Sequence, residues 1–324
     1  MSDEARLDRS VTLHFMGDPG RANFHRILGW MCDELSRRTG PFTRVAIWNG
    51  LGFVDNVREV GRGQKDLAIA TPASFVAMAL DGRGPYAGES FPNLRAIASM
   101  PQNDRLVLAV DASLGVRTFA QIRDKRVPLR IATATNDGIN HIGLAAHALL
   151  AAAGLSDTTL AEWGGGFAPG DWYPQALASF RSGAANAIMQ EAIMTPPWQT
   201  MANEHDMAFI SFDDQVLDAV EHEWGWPRGT LPAGYFKGLE APFQTLDFSD
   251  FLVFVREDMP EDLAYVLARL MVETRGDIEA RYRHIPPERS PLSYPIEPRR
   301  MAATPIPLHP GAVRYYASQG LLPS

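Results

Sequence analysis

The feature that most constrains this chain is a rhythm: short apolar runs alternate with helix-period stretches, and the alternation starts over midway. Such a pattern builds βα units around largely parallel sheets. Val11–Gly17, Val45–Asn49, Asp66–Ala70, Leu94–Met100 and Arg105–Asp111 read as strands. Between them, Arg21–Arg38, Val54–Val60 and Pro72–Leu80 read as helices, the first with Phe24, Ile27, Leu28, Met31 and Leu35 on one face. After Asp111 the rhythm restarts. Ser113–Lys125 reads as a short helix, Leu129–Thr133 as a strand, and Gly138–Ala153 as an alanine-rich helix that Gly154 ends. Thr159–Trp163 then reads as a strand, Asp171–Ser182 as a helix, Ala187–Gln190 as a strand, Pro196–Asn203 as a helix and Met207–Ser211 as a strand. A Trp/Gly/Pro-rich stretch, Trp224–Gly238, precedes a late strand, Phe248–Arg256, and helices at Glu261–Thr274 and the C-terminus. This predicts a discontinuous first lobe, 1–110 plus 225–324, with a second lobe, 111–224, inserted into it. Two crossings would make a hinge, with the ligand in the cleft between the lobes.

Composition excludes several classes. Lys+Arg 30 against Asp+Glu 38 gives a net charge of −8, with no basic block to hold nucleic acid. An anionic ligand would therefore depend on a few local donors. No apolar run reaches the roughly 20 residues that span a bilayer. The N-terminal Met1–Ser10 is polar and lacks the apolar core of a signal peptide, so the expectation is a cytoplasmic protein as written, periplasmic if the true start lies upstream. The one cysteine, Cys32, sits in a helical apolar pattern and reads as a packed small hydrophobe. No metal site is expected: His141 and His147 are wrongly spaced for one helix face, and His309 belongs to a structural-looking motif. Gly164-Gly165-Gly166 lacks the residues of a P-loop, so no nucleotide or other cofactor is expected.

The C-terminal run Pro305-Ile306-Pro307-Leu308-His309-Pro310-Gly311-Ala312-Val313-Arg314-Tyr315-Tyr316, followed by Gly320-Leu321, resembles the ending of the TAXI family, the solute-binding proteins of TRAP-type transporters. Asp66–Ala70, Leu94–Met100, Val116–Val127, Leu231–Tyr235 and Asp258–Asp262 resemble further family segments in the same order, covering almost the whole chain. The resemblance implies an α/β, two-lobed periplasmic-binding-protein-like (type II) fold with mostly parallel sheets and a hinge. It also implies a small carboxylate-bearing ligand and transporter membrane subunits as partners. The chain departs from the family in lacking a signal peptide and in its first two loops, Met16–Arg21 and Trp48–Phe53, which are bulkier than the family's small, glycine-rich ones. These loops suggest a site remodelled with an aromatic wall.

Ligands of open α/β sheets bind beyond the C-terminal ends of strands. That rule selects four loops. In the first, Gly17 permits close backbone approach, Arg21 is placed to pair a carboxylate, and Asn23 follows. The second offers Trp48 and Asn49, a flat face and an amide, with inter-lobe packing as the alternative role. In the third, Thr71 and Ser74 supply hydroxyls, Thr71 also as a helix cap. The fourth holds Thr133, Thr135, Asn136 and Asn140, and matches the position of the family loop that holds a ligand acid at a helix N-terminus; Asp137 must turn outward there. Glu191, Trp198 and Tyr235 are placed to reach the same cleft. Two functions fit: a binding protein, the preferred reading, or a metal-independent cytoplasmic decarboxylase or lyase using Asp137, His141 and Glu191 for acid/base work.

Overall fold

A computed structural model describes residues 6–18, 23–170, 173–192 and 196–322. The chain divides into two compact units, Met1–Asn103 with Ser249–Ser324, and Asp104–Phe248. Each unit is built around a five-stranded sheet.

The first sheet contains β1 (Thr12–Gly17), β2 (Arg44–Asn49), β3 (Leu67–Ala70) and β4 (Leu94–Met100). The second contains β5 (Leu106–Asp111), β6 (Arg130–Ala134), β7 (Gly166–Gly170), β8 (Ala187–Glu191) and β9 (Met207–Phe209). A two-stranded ribbon, β10 (Arg228–Leu231) with β11 (Phe243–Leu246), precedes β12 (Phe251–Arg256). The first sheet runs β2-β1-β3-β12-β4 and the second β7-β6-β8-β5-β9. In each, one reversed strand (β12 or β5) lies antiparallel between two neighbours, and the other observed pairings are parallel.

Both sheets therefore follow one plan, in which the reversed strand comes from the far side of a unit crossing. This moves the boundaries expected from sequence. The run 105–111 does not join the first sheet, because β5 bonds to β8 and β9 along its length. Residues 225–248 also belong to the second unit: Leu231, Phe236, Leu239 and Phe243 share its core with Val107, Ala109, Ala132 and Ile188. β12 does pair in the first sheet, between β3 and β4.

Thr159–Trp163 is not a strand. Ser156 accepts a hydrogen bond from the Thr159 N–H at 3.1 Å and caps a short helix, Asp157–Glu162, and the strand comes later, as β7. The Asp214–Trp224 helix and the β10–β11 ribbon fall in stretches to which the sequence assigned no element.

In the first unit, the Asn23–Arg37 and Glu261–Glu273 helices bury Phe24, Ile27, Trp30, Leu267 and Leu270 in one core with Phe15, Ile69 and Val253. The C-terminal motif locks this core. His309 Nδ1 accepts the Gly311 N–H at 3.1 Å to cap the Pro310–Ser318 helix, and the Tyr316 hydroxyl donates to the Ile97 carbonyl at 3.1 Å. Cys32 lies half-buried against the same core, and burial, with Asp33 adding to it, pushes its thiol up to about 12. Its thiolate fraction at neutral pH is then very small. Iodoacetamide is expected to leave Cys32 unmodified in the folded protein and to label it in urea, read by mass spectrometry.

Candidate functional site

In the second unit, β6 and β8 run parallel, with Ile131 level with Ala187 and Ala132 with Ile188. Side chains alternate faces along a strand. Ala132 and Ile188 point into the core shared with Leu177, Phe180 and Trp198, so Thr133 and Glu191 share the opposite face. Glu191 ends its strand level with Leu106 of β5.

Several polar atoms at these strand ends are buried. Thr133, Gln190 and Trp198 are fully buried and Glu191 is 7% exposed. Thr133 Oγ1, both amide atoms of Gln190, Glu191 Oε1 and Trp198 Nε1 have no hydrogen-bond partner among the described residues. Native interiors rarely leave such atoms unsatisfied. Thr133 and Glu191 share one face and form the candidate site, whereas Gln190, alternating with Glu191, lies on the Ile188 face with Trp198. Burial first, and the charge of Asp104 second, hold the Glu191 carboxyl well above the usual carboxylate range. The Tyr173 hydroxyl is raised too, by burial and then by Glu191.

The loop after β6 is less suited to an anion than the sequence suggests. Asp137 is exposed, and its Oδ1 accepts the N–H groups of Ile139 at 2.8 Å and Asn140 at 3.0 Å. Two backbone donors that would cradle a ligand are thereby occupied. Asn140 is the N-cap of the His141–Ala152 helix but makes no side-chain cap bond, and Asn136 is exposed. His141 is buried at the start of that helix. Gly143 lies one turn on, where a Cβ would stand 2.2 Å from the Thr135 carbonyl oxygen. The helix thus packs directly on the Thr135–Asn136 peptide. Tyr235 is half-buried, edge-on to Phe236 at 5.0 Å between ring centroids, and Phe236 in turn lies 5.8 Å from Trp198.

The first unit has its own strand-end set. Asn56 donates to the Gly17 carbonyl at 3.0 Å and the Ile69 carbonyl at 2.7 Å, tying the ends of β1 and β3 together. Gly17 lets the His25 ring lie over the end of β1, since a Cβ there would be 3.1 Å from Nδ1. His25 Nδ1 is 2.7 Å from Asp18 Oδ1, and His25 Nε2 and Asp18 Oδ2 are buried with no partner among the described residues. Ser74 Oγ and the amide of buried Gln102 are likewise unpaired.

Other expected residues have different duties here. Arg21 lies outside the described residues. Asn23 donates to the Pro291 carbonyl at 2.7 Å and accepts from the Tyr282 hydroxyl, which ties the start of its helix to residues 282–291. The Thr71 hydroxyl donates to the Asp250 carbonyl at 3.0 Å instead of capping the next helix. Trp48 is 48% exposed; its indole N–H donates to His14 Nδ1 at 3.1 Å, and the Lys65 ammonium lies 5.0 Å from the ring centroid. Asn49 is exposed at the end of β2. Sequence reasoning missed Asp18–His25, Gln102 and Asp104 as polar strand-end residues. The available signal was position alone, since each follows or precedes a strand.

Two α/β units with this strand order, each with its polar set at the strand ends, define the fold of periplasmic solute-binding proteins. The sequence matches the NMT1-like family over residues 35–320, and the chain belongs to that family. No curated protein matches it. Among solved structures, a TctC solute-binding protein from Polaromonas is similar over 96% of this chain and 98% of its own, with a TM-score of 0.51 and 14% identity. The alkanesulfonate-binding protein SsuA from Xanthomonas axonopodis pv. citri, bound to MOPS, is similar over 98% and 96%, with a TM-score of 0.42 and 16% identity. PhnD1 from Prochlorococcus marinus, in complex with methylphosphonate, is similar over 81% and 82%, with a TM-score of 0.47 and 15% identity. At these identities the likeness is one of fold. No helix among the described residues is long and apolar enough to cross a membrane.

Proposed function

We propose that this chain is a solute-binding protein of the TAXI type for a small, carboxylate-bearing organic molecule, handing its ligand to transporter membrane subunits. The observation that carries this reading is the pair of buried, unpaired polar atoms, Thr133 Oγ1 and Glu191 Oε1, on one face at the ends of β6 and β8. The Thr133 hydroxyl supplies a neutral donor, which suits a carboxylate in a chain of net charge −8.

The test is a thermal-shift screen of small organic acids followed by calorimetry. Thr133→Val keeps the side-chain shape and removes the hydroxyl. It is expected to weaken binding of the best acid roughly tenfold, the worth of one buried hydrogen bond to a charged group, with the fold intact by circular dichroism. Unchanged affinity in this variant would remove Thr133 from the site.

Glu191 also supports a second reading, a metal-independent decarboxylase or lyase, because a buried carboxyl held above its usual range is equipped for proton transfer. Appearance of a new product from a bound acid, abolished by Glu191→Gln or His141→Ala, would select the enzyme.

A further inference from the structure

Glu191 and Asp104 are two carboxyls withdrawn from water in the same unit, and their surroundings differ. Asp104 is fully buried, and its Oδ1 accepts the Arg105 N–H at 2.7 Å and the Ala192 N–H at 3.3 Å, the latter shared with the Arg105 carbonyl. Two backbone donors thus reach one oxygen of Asp104, whereas its Oδ2, like Glu191 Oε1, is a buried oxygen with no hydrogen-bond donor among the described residues. One negative charge fits this pair, and Asp104 is the better host.

We propose that Glu191 meets the ligand as a neutral acid, donating its own O–H to a ligand carboxylate alongside the Thr133 hydroxyl, so that binding is coupled to one proton. The proposal rests on the carboxylate reading above and goes beyond it. An ionised Glu191 would bring a second anion against the ligand, beside a charged Asp104, in a place burial makes unforgiving. In the neutral form it supplies a donor on the face it shares with Thr133, and no fixed cation is needed. The balance is simple: where Glu191 is already ionised in the unliganded protein, binding takes up one proton from solvent; where it is neutral, none moves.

The other titratable groups around it are identifiable among the described residues. Asp104 precedes β5. The Arg105 guanidinium is held by the Asp104 carbonyl and by Asp247 Oδ1 at 2.9 Å. Tyr173 starts the neighbouring helix and is raised, so it titrates later. His141 starts the helix that packs against β6 and β8.

The experiment is calorimetry with succinate and glutarate as probes, from neutral to alkaline pH, above the range in which the probes' own carboxyls titrate. Wild-type affinity is expected to fall by roughly tenfold per pH unit once Glu191 ionises in the unliganded protein. Glu191→Gln keeps a donor that cannot titrate. It is expected to bind with a nearly flat pH profile and, at alkaline pH, more tightly than wild type. A flat wild-type profile, or affinity that rises with pH, would overturn the proposal while leaving the carboxylate reading standing. Failure of both probes and of the wider acid screen to bind at any pH would overturn the two together.

Discussion

Replacing Gly143 with alanine is expected to cost about 2–3 kcal/mol of stability and to abolish tight ligand binding. A Cβ at this position would stand 2.2 Å from the Thr135 carbonyl oxygen, 2.5 Å from its carbon and 2.8 Å from the Asn136 nitrogen. All three are backbone atoms, so no rotamer change relieves the overlap. The His141–Ala152 helix must back away from the loop that follows β6, carrying His141 with it. Gly29 supplies the control. It lies inside the Asn23–Arg37 helix with nothing within 4 Å of the added Cβ, and Gly29→Ala is expected to gain about 0.5–1 kcal/mol through helix propensity. Urea unfolding of both variants measures the pair. Equal stability of Gly143→Ala and wild type would mean that the helix does not press on the loop as described.

The second large effect is a dependence on pH carried by Glu191. Burial, and then Asp104, raise its carboxyl in the folded state, whereas the unfolded chain has an ordinary glutamate titrating at about 4.3. Below that pH both states hold the proton and Glu191 costs nothing. As pH rises through the unfolded value, the unfolded chain sheds its proton first. It therefore binds fewer protons than the folded protein, and stability falls by up to about 1.4 kcal/mol per pH unit until the folded group also ionises. Glu191→Gln removes that loss. The variant is expected to match wild type below about pH 4 and to exceed it by a margin that widens toward about pH 8. Parallel curves for the two proteins across this range would show Glu191 ionised in the fold.

The architecture was legible where the hydrophobic period was clean. β1, β3, β4, β8 and β12 follow from apolar runs that a buried parallel or mixed sheet requires. What an apolar run cannot say is which sheet it joins. β5 reads like the strands before it, yet it bonds to β8 and β9, and the crossing falls at Asn103–Asp104 instead of beyond Asp111. The two neighbouring threonines at 158 and 159 suggested a strand, and the serine cap at Ser156 decided for a helix.

Thr133 and Glu191 were legible as candidates because they stand at strand ends, where open α/β sheets place their ligands. The Asp18–His25 contact was not, because seven residues separate its members and their meeting depends on how the chain leaves β1. Gln102 and Asp104 were hidden in what reads as a polar link between strands; only the fold shows that the link is buried. Trp48 was a reasonable wall for a ligand by type, but its indole is engaged by His14 and Lys65.

The inserted arrangement has a consequence for synthesis. The second unit is one continuous stretch, and its ends are tied to each other: the Phe248 N–H donates to the Asp104 carbonyl at 3.2 Å and Arg105 pairs with Asp247. Every strand of its sheet has left the ribosome once Phe248 has emerged. The first unit begins earlier and finishes later, since β12 must enter between β3 and β4 before that sheet is whole. Domains fold as units while the chain grows. The N-terminal strands therefore wait, with apolar β3 and β4 missing the neighbour that will lie between them, while the later-made unit matures. Nascent-chain protease resistance should accordingly appear first for residues 104–248 and last for residues 6–103, reversing the order in which the two were translated.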